Sequence, residues 1–200
     1  RRGPERVQAP LDPRGRIIGD DDGQERLLAA ARAQPEFGIL SPLHLDYEGQ
    51  TFDPQFWTSA FGQRPEFTWD LWRQAPKPVY EVDMVPAALW LLRRELVDRI
   101  GGFDPVFFLY GEDGEYIRRA RTAGFSLGVV PGAVGYHYHT KHVTPQARIR
   151  RRCRTAYAKS VILLKHGQGS LARRVGGVLR LRLLGWLGVT SWVDLVVELC

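Results

Sequence analysis

GGFDPVFFLYGEDGEYIRRARTAGFSLGVVPGAVGYHYH, residues 101–139, alternates strong backbone breakers with short periodic runs. Paired glycines at Gly101-Gly102 end a helix that begins near Glu95, since glycine readily takes the positive φ of a C-terminal cap. Asp104-Pro105 opens a turn, and Phe107 to Tyr110 carry an apolar, aromatic segment up to Gly111. Asp113 stands at the N-cap position of a helix over roughly 114–123, which Gly124 ends. Ser126 to Val130 reads as a strand, Pro131-Gly132 breaks it, and Ala133 to Tyr138 resumes extended structure. Alternation along that strand puts His137 and His139 on one face and Tyr136 and Tyr138 on the other. The block therefore sets an acidic pair, Glu112 and Asp113, at the mouth of a helix and returns a histidine pair on the next strand. Two carboxylates and an imidazole brought together in this way can make a base and a metal ligand.

Each piece alone has a plainer meaning. An acidic pair ahead of a helix is ordinarily a cap worth about 1 kcal/mol, favoured there by the helix dipole. A lone strand histidine is ordinarily a packed or surface residue. The order of the whole block sets it apart: glycine pair, Phe-Asp, aromatic run, Gly-Glu-Asp, helix, Gly-aromatic, strand, Pro-Gly-Ala-Val and aromatic-His.

That order resembles the C-terminal half of the catalytic domain of family 2 glycosyltransferases, inverting GT-A fold enzymes that include rhamnosyl- and galactofuranosyltransferases. The residues that carry the likeness are VDMVPAALWLLRRE (82–95), Gly101 to Asp104, FFLYGED (107–113) and VPGAVGYH (130–137). The resemblance extends over residues 24–165 and implies an α/β chain with a partial GT-A fold and a C-terminal helical extension. It implies that Asp113 is the general base, supported by Glu112, taking the proton of an acceptor hydroxyl as that oxygen displaces the diphosphate of a nucleotide-activated sugar. The helix N-terminus favours the ionised carboxylate and weakens it as a base, whereas the like charges of Glu112 and Glu115 push the other way. In metal-dependent relatives a histidine 24 residues after the base joins aspartates of a DxD motif around a divalent cation, Mn or Mg, and His137 stands at that distance. Such a cation does Lewis-acid work on the leaving diphosphate. His139 and His142 complete an H-x-H-x-x-H string, but no cysteine or acidic residue lies at a ligand spacing for a self-contained zinc site.

Upstream the pattern departs from the family. The chain starts at Arg1 without the nucleotide-binding half that such folds begin with, so it is expected to be a fragment whose residues 1–23 are loop remaining from that half. Asp20-Asp21-Asp22 follows Ile17-Ile18 and is either the DxD, with Asp20 and Asp22 at the donor diphosphate and Asp22 at the metal, or the acidic first turn of a helix over 24–34. The near absence of a linker before that helix favours the second. Pro35 stops the helix, Phe37 to Leu40 reads as a buried strand, and a loop follows from Ser41-Pro42 to Gly49. Seven aromatics then fall between residues 52 and 72: Phe52, Phe56, Trp57, Phe61, Phe67, Trp69 and Trp72. They are either platforms for an acceptor, with Trp69, Trp72 and Tyr110 as the candidate contacts, or anchors for a long loop. Residues 24–144 are thus the acceptor-side half of the transferase domain and residues 145–200 a basic amphipathic extension.

With 44% hydrophobic residues, 200 residues suffice for one well-buried domain. Two cysteines, Cys153 and Cys200, make no disulfide framework and suggest a reducing compartment. No run of about eighteen uncharged apolar residues marks a membrane span. The net charge of +6 gathers late in the chain, in Arg148, Arg150, Arg151, Arg152 and Arg154 on a helix expected over 145–166, then in Arg173, Arg174, Arg180 and Arg182 among aliphatic residues with Trp186 and Trp192. This pattern suits peripheral contact with an anionic bilayer, and equally a solvated basic face packed on a longer protein. It matches no nucleic-acid motif, so no nucleic-acid partner is expected. The resemblance then implies a nucleotide-sugar donor, a saccharide or polyprenyl-linked acceptor, and work at the cytoplasmic face of the cell membrane in cell-surface polysaccharide synthesis. The alternative is a noncatalytic carbohydrate-binding remnant of such an enzyme.

Overall fold

The structure, a computed structural model, describes residues 21–46, 48–62, 64–107, 109–137 and 144–186. Asp20, Tyr138, His139, His142, Trp192 and Cys200 lie outside the described residues. The chain forms two compact units, one from residues 1–102 and 116–141, the other from 103–115 and 142–200.

The first unit is built on a mixed sheet. Strand β1 (Phe37–Asp46) is buried over its first eight residues, the near-continuous apolar reading of a strand covered on both faces. Strands β2 (Tyr80–Glu81) and β3 (Leu91–Leu92) are short, and β4 (Ser126–His137) is the long partner of β1. Among the described residues the strand order is β2-β4-β1-β3, with β1 and β4 parallel at the centre and the two short strands antiparallel at the edges.

The first long strand outruns its expected end, and the second lacks its expected interruption. The strand expected to stop at Leu40 continues through Pro42 to Asp46, because β3 pairs only with Ile39 and Leu40 and the ladder against β4 shifts register just after Pro42. A missing N–H at that point interrupts no regular ladder. The break expected at Pro131-Gly132 is absorbed as a bulge. Pro42 pairs with Val130 and the next residue, Leu43, with Val134, so Pro131, Gly132 and Ala133 are extra on β4 while the strand runs on to His137 opposite Asp46.

Helix α1 (Asp21–Ala33) covers one part of the sheet, packing Leu27, Ala30 and Ala31 against Phe37, Leu40 and Val130. Arg26 Nη1 donates to the Gly132 carbonyl on the bulge at 2.5 Å. The helix starts three residues earlier than expected and takes Asp22 into its first turn, where the dipole favours an acid. Arg93 ties the turn after α1 to the sheet by donating to the carbonyls of Phe37 at 3.0 Å, Gln34 at 3.3 Å and Ala31.

The larger core lies under β1 and β4 and gathers Ile39, Phe56, Phe67, Val82, Leu96, Tyr116, Ile117, Leu127 and Val129. Three helices feed it from residues 54–100. Helix α2 (Pro54–Phe56) passes into a π-helical turn at Trp57–Phe61, α3 (Pro65–Trp72) follows, and α4 (Arg94–Ile100) ends at Gly101 with φ 75° as the glycine pair predicts. The aromatics of residues 52–72 divide between core and surface. Phe61 stacks on Phe67 at 4.5 Å and Phe67 on Tyr80 at 4.3 Å, forming a buried ladder, while Trp57, Trp69 and Trp72 stay exposed.

The second unit contains two helices, α6 (Pro145–His166) and α7 (Leu171–Trp186). Thr144 caps α6 by accepting from Ala147 N–H at 3.2 Å, and Pro145 takes the first helical position. Arg174 donates to the Leu164 carbonyl at 2.7 Å, so α7 helps to satisfy the end of α6. Leu171, Val175, Leu179 and Leu183 recur every four residues on α7 and are all exposed. Among the described residues no helix is long and apolar enough to cross a membrane. Helix α5 (Glu112–Thr122) divides between the units, its residues from Tyr116 onward belonging to the first.

Candidate active site

The acidic pair sits on a constrained turn. Tyr110 has φ 72° and Gly111 φ 90°, two successive residues in the left-handed region, which reverses the chain just before α5. A side chain at 111 is excluded twice over, since a Cβ there would lie 2.6 Å from the Ala158 Cβ and φ is positive. The carbonyl of Gly111 accepts the Glu115 N–H at 3.0 Å. The helix therefore starts at Glu112, two residues earlier than expected, and Asp113 lies inside the first turn instead of at the N-cap. Its Oδ1 accepts the Gly114 N–H at 2.7 Å. Glu112 Oε2 is buried and has no hydrogen-bond partner among the described residues. Tyr110 joins the pair on the same turn, with the Arg151 guanidinium 5.6 Å from its ring centroid.

Glu115, one turn from Glu112, is fully buried and neutralised. Its Oε1 accepts from Lys165 Nζ at 2.8 Å and lies 3.2 Å from His166 Nε2, both at the end of α6, and Lys165 also bonds Asp104. These two carboxylates push the Lys165 pKa above its ordinary value. Of the two like charges expected to act on Asp113, Glu115 is thus offset by a cation.

A second constellation lies at the C-terminal end of the central strands, in the first unit. His137 Nδ1 is 2.9 Å from Asp53 Oδ2. Asp53 is fully buried and caps α2, its Oδ1 accepting from Gln55 N and Phe56 N, each at 2.8 Å. Its own N–H donates to the His44 carbonyl at 2.9 Å. His44, also fully buried, bonds Ser41 Oγ through Nε2 at 2.9 Å and packs against Phe56 with the rings tilted by 34° at a centroid distance of 4.8 Å. Burial pulls its pKa from 6.5 down to about 4, with the Asp53 charge opposing the shift and His137 adding to it.

The structure gathers some of the sequence candidates and not others. Tyr110, Glu112 and Asp113 share one turn, and Trp69 and Trp72 stack at 5.0 Å on α3, with the Arg73 guanidinium 5.8 Å from the Trp69 ring. Trp72 is 74% exposed. Asp22 is an exposed first-turn residue of α1. No group of three His, Cys, Asp or Glu side chains that could share a metal ion occurs among the described residues, so Asp22 and His137 do not meet in one. His137, by contrast, has the carboxylate contact that orients a ligating imidazole.

Asp53 and His44 were not singled out by the sequence. The pattern Asp53-Pro54 is a readable helix start, with a capping acid ahead of a first-position proline. Nothing local points from it to a histidine 84 residues on.

Residues 57–158 match the model of a family described as Glycosyltransferase like family 2. No curated protein matches the chain. The matched span includes the acidic pair, His137 and the exposed tryptophans, and begins after Asp53.

Proposed function

We propose, from the premise that the chain belongs to the glycosyltransferase-like family 2, that it moves a sugar with inversion from a nucleotide diphosphate donor to a saccharide or polyprenyl-linked saccharide acceptor. Its mixed sheet with flanking helices is a partial GT-A fold. The donor sugar is of the rhamnosyl or galactofuranosyl kind, and the product belongs to cell-surface polysaccharide. The observation that carries this reading is the turn at Tyr110-Gly111, which delivers two adjacent carboxylates at the start of α5, one of them with a buried oxygen that accepts no hydrogen bond among the described residues.

Asp113 accepts the proton of the acceptor hydroxyl as its oxygen attacks the anomeric carbon opposite the diphosphate, a single displacement that inverts the centre. Glu112 supplies an acceptor for a second hydroxyl of the same sugar and so orients it. Trp69 and Trp72 offer apolar faces to an acceptor, and Tyr110 a third. A divalent cation, Mn or Mg, held by His137 would neutralise charge on the leaving diphosphate. The helical setting of Asp22 favours its role as a first-turn acid over that of a donor ligand. The exposed stripe of α7, flanked by Arg173, Arg180 and Arg182, supports peripheral contact with an anionic membrane at the cytoplasmic face.

The test is donor turnover by the full-length protein with a panel of nucleotide sugars and Mn or Mg. Release of nucleoside diphosphate by wild type, lost in Asp113→Asn with an unchanged circular dichroism spectrum, is the expected result. A folded wild type that turns over no donor, even with membrane extract as acceptor source, would instead assign the chain to carbohydrate binding without transfer.

A further inference from the structure

The turn that carries Glu112 and Asp113 is not one that its own residues hold. Tyr110 has φ 72°, a conformation that a bulky residue keeps only when its surroundings over-determine it. Glu112, Asp113 and Glu115 also crowd the first turn of α5, where like charges repel. Helix α6 supplies the constraint. Arg151, Ala158 and Lys165 recur every seven residues, about two helical turns, and so lie along one of its faces. The Arg151 guanidinium stands 5.6 Å from the Tyr110 ring centroid, Ala158 lies against Gly111, and Lys165 meets the segment at both of its ends.

Lys165 Nζ donates to Glu115 Oε1 at 2.8 Å and to Asp104 Oδ2. Both anchors are fixed. Glu115 is fully buried, where a carboxylate stripped of its cation is strongly disfavoured, and Asp104 Oδ1 is held by the Val106 N–H at 2.9 Å. Between them Phe107, itself buried, sets its ring 5.9 Å from the same ammonium. We propose that Lys165 is the positioning residue of the acidic pair: one ammonium joins Asp104 to Glu115, closes residues 104–115 into a loop, and so fixes where Glu112 and Asp113 point. The proposal rests on the reading of that pair as the base and its support. His166 Nε2, 3.2 Å from Glu115 Oε1, reinforces one end, whereas Lys165 joins the two.

The experiment is hydrogen–deuterium exchange of the full-length protein, read by mass spectrometry, alongside donor turnover. Asp104→Asn is the informative variant, because its amide oxygen keeps the Val106 N–H while its NH2 group turns to the ammonium, and Glu115 keeps its cation. Amides of residues 106–114 should exchange about tenfold faster than in wild type, with peptides from β1 and β4 unchanged. The kcat for release of nucleoside diphosphate should fall about 10- to 100-fold at an unchanged donor KM, as the base loses its aim. Lys165→Met should loosen the same amides. Unchanged exchange over 106–114 in Asp104→Asn would overturn the proposal and leave Lys165 as a counter-charge for Glu115, even if Lys165→Met fails to fold. Faster exchange with kcat unchanged would overturn the positioning role. A wild type that turns over no donor sinks the catalytic reading of the pair instead, and exchange still decides whether Lys165 closes the loop.

Discussion

Folded His44 resists a proton that the unfolded chain accepts, because its pKa drops from 6.5 to about 4 on burial. Acid therefore favours unfolding. The contribution is intact above about pH 6.5 and is lost as the pH falls toward about 4, to a total on the order of 3 kcal/mol. Urea unfolding should show a loss of about 2 kcal/mol between pH 7 and pH 5 from this group. His44→Asn, which does not titrate, should remove that part of the slope; an unchanged slope would place the pH dependence elsewhere. At this scale the sequence was informative where meaning is local. Glu112, Asp113 and Tyr110 are contiguous with the glycine that turns them, and their neighbourhood can be read from the order of residues. Asp53 acquires its second partner only through the pairing of β1 with β4, so no window of sequence contains its role.

The elements were legible to the extent that their boundaries are set by local chemistry. Helix α4 ends at its glycine, and α6 runs over the expected residues 145–166 because Thr144-Pro145 starts it. Strands were read too short, since a proline or a Pro-Gly pair looks like punctuation in one dimension and becomes a bulge once a partner strand is present. Helix starts were read too late at α1 and α5, and at α5 an acid of the first turn, Asp113, was taken for the cap. The junction of α5 and α6 yields a prediction. Removing Lys165 leaves the Glu115 carboxylate buried with His166 beside it. Lys165→Met should cost about 2 kcal/mol, below the range for a fully buried pair because Lys165 keeps 36% of its side chain in water. Chemical denaturation measures this, and a neutral result would mean that His166 alone satisfies the carboxylate.

For the molecule as a whole, the net charge of +6 and the outward leucines of α7 combine into a surface chemistry that the sequence left open between bilayer contact and packing. Leu179 is 65% exposed, which leaves it available to a bilayer. Vesicles containing a third of anionic lipid should sediment with the protein, neutral vesicles should not, and Leu179→Asp with Leu183→Asp should abolish binding while salt weakens it. Binding that survives both substitutions would move the contact away from α7. The central pairing of β1 with β4 bears, finally, on how the molecule is made. Strand β1 leaves the ribosome well before its parallel partner exists, and 84 residues separate Asp53 from His137. Until the last residues of β4 emerge, the apolar Phe37 to Leu43 segment waits without its main ladder, exposed to mispairing. The His137–Asp53 contact closes only when that wait ends, so it belongs to the finished sheet and does nothing to hold an unfinished one.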